Sequence, residues 1–414
     1  MIGAMIPDSL RGWSRSQRHA VIASYLGWTL DAFDFFLLVF VIVDVAKEFG
    51  ASVEAVTWAV TLTLALRPVG ALIFGRLADR YGRRPVLMID VLAYSILGFI
   101  TAFSPNLVVF IIIRALFGIA MGGEWGVGAS LTMESIPAKS RGLVSGILQA
   151  GYPTGYLLAA IVYGLLYEHI GWRGMFMVGI VPALLVLYIR QFVHESPGWR
   201  REHAGASRIG EILRRHWAIT VYAVLFMMCM AFFSHGTQDL YPTFLKVDRG
   251  LDPRTIGAIA VVYNLGGILG GIVFGAWSQK IGRRNALIIG AVGALAVLPF
   301  WTMAHNVVIL AAAAFLMQFT AHGCWGVVPA HLNEISPPEA RGTFPGFVYQ
   351  LGNLLASGNA TIQAGLAASL GGYAPALMIV AAGAGIGVAL LSFFGREAKE
   401  IDMTMASEPQ SSRE

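Results

Sequence analysis

Apolar runs of about 20 residues or more, separated by short polar breaks, recur twelve times along this chain. Each is long enough to cross about 30 Å of hydrocarbon as a helix. They fall at 20–45, 53–75, 85–103, 106–134, 141–167, 172–194, 216–245, 254–277, 285–303, 306–334, 341–369 and 373–395. Ten-residue segments alternating apolar and polar positions, which a membrane β-barrel needs, are not seen. The pattern predicts an all-α membrane protein with twelve transmembrane helices.

The pattern also repeats at an offset of about 200 residues. Gly70, Gly75, Gly82, Arg83 and Arg84 recur as Gly270, Gly275, Gly282, Arg283 and Arg284, and Gly123, Trp125 and Gly126 as Gly323, Trp325 and Gly326. Glu134, Pro137, Arg141 and Gly142 recur as Glu334, Pro337, Arg341 and Gly342. Parallel halves of this kind, with a site between them near the midplane, are the sequence mark of a secondary transporter. The predicted organisation is two pseudo-symmetric six-helix bundles, 20–194 and 216–395, joined by a cytoplasmic linker at 195–215. A cytoplasmic N-terminus (1–19) and a polar, disordered cytoplasmic tail (396–414) flank them.

Composition agrees with the hydropathy pattern and adds an orientation. Of 414 residues 56% are hydrophobic and only 13% charged, against about 25% charged in soluble chains. With both ends placed in the cytoplasm, about 22 of the 29 Lys and Arg lie on that side, Arg11, Arg80, Arg83, Arg84, Arg283 and Arg284 among them. About five lie outside: Lys47, Arg173, Lys246, Arg249 and Arg254. This is the positive-inside bias of an inner-membrane protein. The net charge of +5 therefore reports topology and not nucleic-acid binding. The basic start runs into an apolar segment too long for a cleavable signal core, so the first span is expected to stay. Cys229 and Cys324 are expected as free, buried thiols, far from metal or redox spacing.

Polar residues inside apolar spans are the candidate chemistry, because a charge in the bilayer costs about 2.5–3.5 kcal/mol and usually marks a substrate or proton path. The densest stretch is Ser234–Thr243, directly after the apolar run Val221 to Phe233. Helical spacing puts His235, Asp239 and Thr243 on one face with Gln238 beside them. Asp31 and Asp34 share a face of the first span, and two such carboxylates cannot both stay ionised cheaply without a cationic partner. Arg67 in the second span cannot lose its proton, so it must find an anion, either one of these aspartates or a carboxylate ligand. Arg114 opens a glycine-rich seam in the fourth span, where it could pack on carbonyls or relay protons. Gln350 and Asn353 offer neutral hydrogen bonding from one face of the eleventh span. Glu124, Glu134, Glu334, His322 and His331 are read as mainly structural.

Two motifs carry a family resemblance. Gly75-Arg-Leu-Ala-Asp79-Arg80-Tyr-Gly82-Arg83-Arg84, with Arg114-Ala-Leu-Phe-Gly118 and the following Gly122 and Gly123, resembles the second-to-third-helix loop and fourth-helix motif of the major facilitator superfamily. The resemblance implies a gating latch built on Asp79, Arg83 and Arg114, weaker in the second half, where the acidic position is Gln279. Ser234-His235-x-Thr237-Gln238-Asp239-x-x-x-Thr243 is similar to the seventh-helix signature of the sialate:proton symporter family, including its lactate and pyruvate permease branch; the leading Asn of that signature is Ala231 here. This implies proton-coupled uptake of short monocarboxylates. Ser234, Gln238, Arg67, Gln350 and Asn353 are then expected at the substrate, with His235, Asp239, Asp31 and Asp34 in proton coupling.

A larger acid such as sialic acid is the alternative substrate. A nutrient sensor would be expected to carry a large soluble loop or tail, and an intramembrane enzyme a nucleophile with its base or a metal constellation; neither pattern is present. The expected partners are a small carboxylate, protons and the bilayer, with no nucleic acid, no cofactor and a monomeric chain.

Overall fold

The protein, seen in a computed structural model, is described over residues 12–202 and 209–403. The first half comprises α1 (Arg15–Glu48), α2 (Val53–Tyr81), α3 (Arg83–Thr101), α4 (Leu107–Ser135), α5 (Arg141–Gln149), α6 (Gly151–Val178) and α7 (Ala183–Phe192). Two short helices, α8 (Pro197–Glu202) and α9 (Ile209–Arg215), lead into α10 (Trp217–Gln238) and α11 (Tyr241–Val247). The second half continues with α12 (Pro253–Ile281), α13 (Arg283–Met303), α14 (Val307–Ile335), α15 (Phe344–Leu355), α16 (Asn359–Leu370) and α17 (Tyr373–Phe394). No strand occurs among the described residues.

Among those residues nine helices are long and apolar enough to cross a membrane, or ten if the bent pair Ala138–Val178 and Ala183–Phe192 is one span. The remaining expected spans are interrupted ones. Gly171, at φ 61° and ψ −176°, turns the chain inside α6 between the fifth and sixth spans. The eleventh is divided into α15 and α16. Large apolar side chains such as Val108, Leu165 and Phe394 are 66%, 68% and 80% exposed, the lipid-facing surface of a bundle whose backbone bonds are met internally.

The 200-residue repeat is visible in the backbone. Gly82 and Gly282 adopt φ 107° and 94° and begin α3 and α13, a conformation open to glycine alone without strain. Arg83 then reaches Glu134 at 2.9 Å, and Arg283 reaches Glu334 at 2.9 Å through both Nε and Nη2. These buried pairs knit each half together, as the structural reading of the two glutamates anticipates.

The halves close against each other at the end bearing these loops. The Asp79 carboxylate accepts from Gly342 N at 2.7 Å and from Thr343 Oγ1 at 2.5 Å, across the junction, while Arg83 Nη2 lies 3.3 Å away within its own half. The symmetric contact uses the neutral Gln279, whose Oε1 accepts from Gly142 N at 3.1 Å. A Cβ on Gly126 would stand 2.7 Å from Gly346 Cα, so both glycines are needed for this approach.

The expected disordered tail is corrected over its first residues. Arg141 donates to Ile401 O at 2.6 Å and Arg341 to Met403 O at 3.0 Å, and Met403 is fully buried beside Trp13, Met133 and Val144. Carbonyls of the tail thus satisfy two arginines that the repeat places at the junction; residues 404–414, and Arg11, lie outside the described residues. Both cysteines are free; Cys324 is buried as expected, but Cys229 is half-exposed.

Candidate substrate and proton site

Two polar walls face each other across the middle of the bundle. On the first wall α1 supplies Asp31 and Asp34 and α2 supplies Arg67. Arg67 Nη2 pairs with Asp31 Oδ2 at 3.3 Å, and its guanidinium lies 5.7 Å from the Phe35 ring. Arg67 Nε and Asp31 Oδ1 have no hydrogen-bond partner among the described residues. The pair is held loosely, through one oxygen and one nitrogen, and leaves a donor and an acceptor unused.

Arg114 joins this wall and not the Asp79 latch with which the sequence grouped it. Its guanidinium packs 3.8 Å from the Phe117 ring centroid and 5.7 Å from that of Phe176, and none of its three nitrogens has a hydrogen-bond partner among the described residues. Such stacking suits a delocalised cation. Asp34 stands nearby, and neither of its oxygens has a hydrogen-bond partner among the described residues. Two further acids, which the sequence reading passed over or treated as structural, complete the wall: Asp90 of α3 and Glu124 of α4, both fully buried and without a hydrogen-bond partner among the described residues. Glu124 lies where a side chain at Gly27 would sit, and Asp90 Oδ1 is 2.9 Å from where a Cβ on Gly123 would be. Asp90 could have been found by its isolation in the run Met88-Ile-Asp90-Val-Leu92. Four buried carboxyl groups and two guanidiniums thus share this wall, and among the described residues only Asp31 and Arg67 come within ion-pair distance.

The second wall is the stretch around His235. α10 ends at Gln238 with Asp239 as its C-cap, and α11 begins at Tyr241 with Pro242 in its first turn, so the polar stretch lies at a break between two helices. His235 Nδ1 sits 3.2 Å from Asp239 Oδ1, and their side chains are 46% and 33% exposed although deep within the protein. Asn359 donates to Asp239 Oδ2 at 3.4 Å, and Gln363 to Gly236 O at 2.8 Å. Gln238 bridges Ser234 Oγ at 3.2 Å and the ring of His322 at 3.3 Å. His322, expected to be structural, therefore belongs to this wall. Thr243 enters α11 beyond the break and leaves the face of His235 and Asp239.

Between the walls lies Tyr152, within electrostatic reach of Arg67 and Asp31 on one side and of Asp239 on the other. An aromatic floor seals the site toward the loop end. Tyr349 stacks on Trp125 at 4.1 Å and meets Trp325 and Trp28 edgewise at 5.6 and 6.4 Å. The floor and the Asp79 latch close the protein on the loop side, while His235 and Asp239 keep exposed surface. Gln350, on the same helix as Tyr349, is buried, and its Nε2 has no hydrogen-bond partner among the described residues; Asn353 follows one turn on. Ala231, the departure from the seventh-helix signature, is fully buried in the core.

The model of the Major Facilitator Superfamily matches residues 24–238 and 237–408. The chain belongs to that superfamily. It is 29% identical over 340 residues to the sialic acid transporter NanX of Escherichia coli, covering 81% of this chain and 84% of the relative. It is 29% identical over 371 residues to a carboxylic acid transporter protein homolog of Saccharomyces cerevisiae, covering 83% of this chain and 60% of that longer relative. The solved proton:xylose symporter XylE, bound to 6-bromo-6-deoxy-D-glucose, superposes with a TM-score of 0.76 at 18% identity, over 93% of this chain and 97% of that one. This last likeness concerns the fold.

Proposed function

We propose that this superfamily member is a proton-coupled symporter of short monocarboxylates, lactate and pyruvate in type, resident in the inner membrane with both termini cytoplasmic. The observation that carries the reading is the Arg67–Asp31 pair: a buried guanidinium held by a single contact to a titratable carboxyl, facing a His–Asp pair across the site. A substrate carboxylate can replace Asp31 on the planar fork. Asp31 then loses its counter-ion and takes up a proton, so anion and proton enter together and the loaded site stays electrically balanced. Asp34, His235 and Asp239 share the proton, and the neutral donors Ser234, Gln238, Gln350 and Asn353 orient the acid.

The cycle is alternating access. With the loop end closed by Asp79, Arg83 and Gln279, the site loads from the opposite side. Opening breaks the contacts of Asp79 with Gly342 and Thr343, and the halves rock about the Gly126–Gly346 approach. Transporters of sialic acid and of carboxylic acids among the relatives support an acid as cargo. The same relatives make a larger acid the second reading, with sialic acid as its representative.

The test is uptake of radiolabelled L-lactate into proteoliposomes with and without an inward proton gradient, with pyruvate and sialic acid as competitors. Uptake driven by the gradient and blocked by pyruvate supports the monocarboxylate reading. Competition by sialic acid alone moves the cargo to the larger acid. In the same assay His235→Ala is expected to flatten the pH dependence of transport, because imidazole is the side chain that can gain and lose a proton in the physiological range and here it pairs with the Asp239 carboxylate at 3.2 Å. An unchanged pH profile would remove His235 from the coupling.

A further inference from the structure

The chain that follows α17 crosses from one half of the molecule to the other. Its root is anchored on the second half: Glu397 Oε2 accepts from Arg284 N at 3.0 Å, Lys399 Nζ donates to Gln279 O at 3.3 Å, and Gln279 Nε2 donates to Glu400 Oε1 at 3.4 Å. Glu400 stands at φ 70°, a left-handed conformation that no other non-glycine residue adopts among the described residues. From this turn the chain enters the junction, where Arg141 of the first half donates to Ile401 O at 2.6 Å and Arg341 of the second to Met403 O at 3.0 Å. The two arginines are equivalents in the 200-residue repeat, and they grip carbonyls two residues apart on one short segment. The Met403 side chain is fully buried in an apolar cluster drawn mainly from the first half, with Trp13, Val21, Met133, Val144 and Leu148 on that side and Ala330 from the second. Trp13 is held there by its indole, which donates to Ser140 Oγ at 3.1 Å.

We propose that residues 397–403 form a strap that holds the loop end closed, and that opening at this end requires Met403 to leave the first half. The inference rests on the alternating-access reading and adds a regulatory contact to it. Two residues of extended chain span about 7 Å, so Ile401 O and Met403 O can serve Arg141 and Arg341 together only while the halves stay close. The root continues from α17 and moves with the second half. Separation therefore draws Met403 out of its cluster, exposes its apolar surface to water and frees Arg141 from Ile401 O. The strap also compensates an asymmetry of the latch. On one side the Asp79 carboxylate of the first half holds Gly342 and Thr343 of the second; on the other, the repeat has only the neutral Gln279, and it is Gln279 that the strap contacts through Lys399 and Glu400.

The test uses the full-length protein in lipid nanodiscs, with spin labels on the two halves at the loop end and no cargo present. Met403→Asp, which sets a charge in the apolar cluster, is expected to raise the ratio of open to closed molecules by about tenfold or more. Met403→Leu, which conserves volume and apolar character, should leave it within about twofold of the wild type. A second arm follows the strap itself. In a Met403→Cys protein whose Cys229 is replaced by serine, a water-soluble thiol reagent should react about tenfold faster once Asp79→Ala is added, because latch and strap answer to one equilibrium. Equal reaction rates with and without Asp79→Ala overturn the proposal, and this arm decides if Met403→Asp does not fold. Opening in Asp79→Ala without opening in a folded Met403→Asp overturns the strap and leaves alternating access standing; no opening in either overturns both. Since neither arm uses a carboxylate, the choice of cargo does not enter the result.

Discussion

Replacing Arg67 by alanine is expected to abolish carboxylate binding, lowering affinity by about 3 kcal/mol or about 150-fold at any pH. The guanidinium is the one cation on the first wall already engaged with a carboxylate, at 3.3 Å, and its unused Nε gives it room for a second oxygen. Truncation also leaves Asp31 without its partner in a fully buried position, and an unpaired buried charge costs about 3–5 kcal/mol unless it gains a proton. Loss of binding and loss of fold are separable. In the double variant Arg67→Ala with Asp31→Asn the orphaned charge is gone, so thermal stability should recover while binding stays lost. Asp31→Asn alone should bind the anion at least as well as the wild type, because Arg67 is released, but without the pH dependence that proton uptake by Asp31 supplies. Isothermal titration across pH measures both. Wild-type affinity in Arg67→Ala would take Arg67 out of the site.

Asp79→Ala should shift the molecule toward opening at the loop end. Its carboxylate accepts two hydrogen bonds from the other half and faces Arg83 within its own. Charge-assisted bonds of this kind contribute about 1.5–3 kcal/mol each. A net loss of about 2–3 kcal/mol moves a two-state equilibrium by about 30- to 150-fold. Gln279→Ala, at the symmetric place, removes a neutral acceptor and should shift the balance by about 1 kcal/mol. Spin labels on the two halves at the loop end, read by pulsed electron resonance, report the populations. A distance distribution in Asp79→Ala that matches the wild type would reduce the latch to a topology signal, the alternative its basic surroundings suggest. An equal response at both sites would deny the asymmetry that Gln279 introduces.

The roles available to individual residues were unevenly legible before the fold was known. His235 and Asp239 are four apart in one helix, so helical geometry alone brings them together, and they meet at 3.2 Å. Arg67 had to find an anion, and helix one offered two candidates, Asp31 and Asp34. Spacing could not choose between them; the packing of α1 on α2 does, giving Arg67 to Asp31. Arg114 was grouped with Asp79 because both belong to superfamily motifs, yet their helices place them at different depths. Motif membership says nothing of depth. His322 was set aside for want of a partner at metal-ligand spacing. Its partner Gln318 is one turn away on the same helix, at 2.8 Å, but Thr237 and Gln238, which complete the surroundings of the two side chains, are about 80 residues distant in sequence.

By itself the sequence determined the all-helical membrane class, the two-fold repeat and the candidate polar positions, because each follows from local periodicity, from the cost of exposing backbone or charge to lipid, or from a fixed offset along the chain. Tertiary structure alone decided which charges pair, that Asp90 and Glu124 share a wall with Asp31, that residues up to Met403 lie against the junction, and that the loop end is the closed one. These depend on which helix faces meet and on where glycine removes a side chain from between them, as at Gly27, Gly123 and Gly126. Such choices are made by long-range packing, in which hydropathy supplies little preference once every helix is apolar on most of its surface.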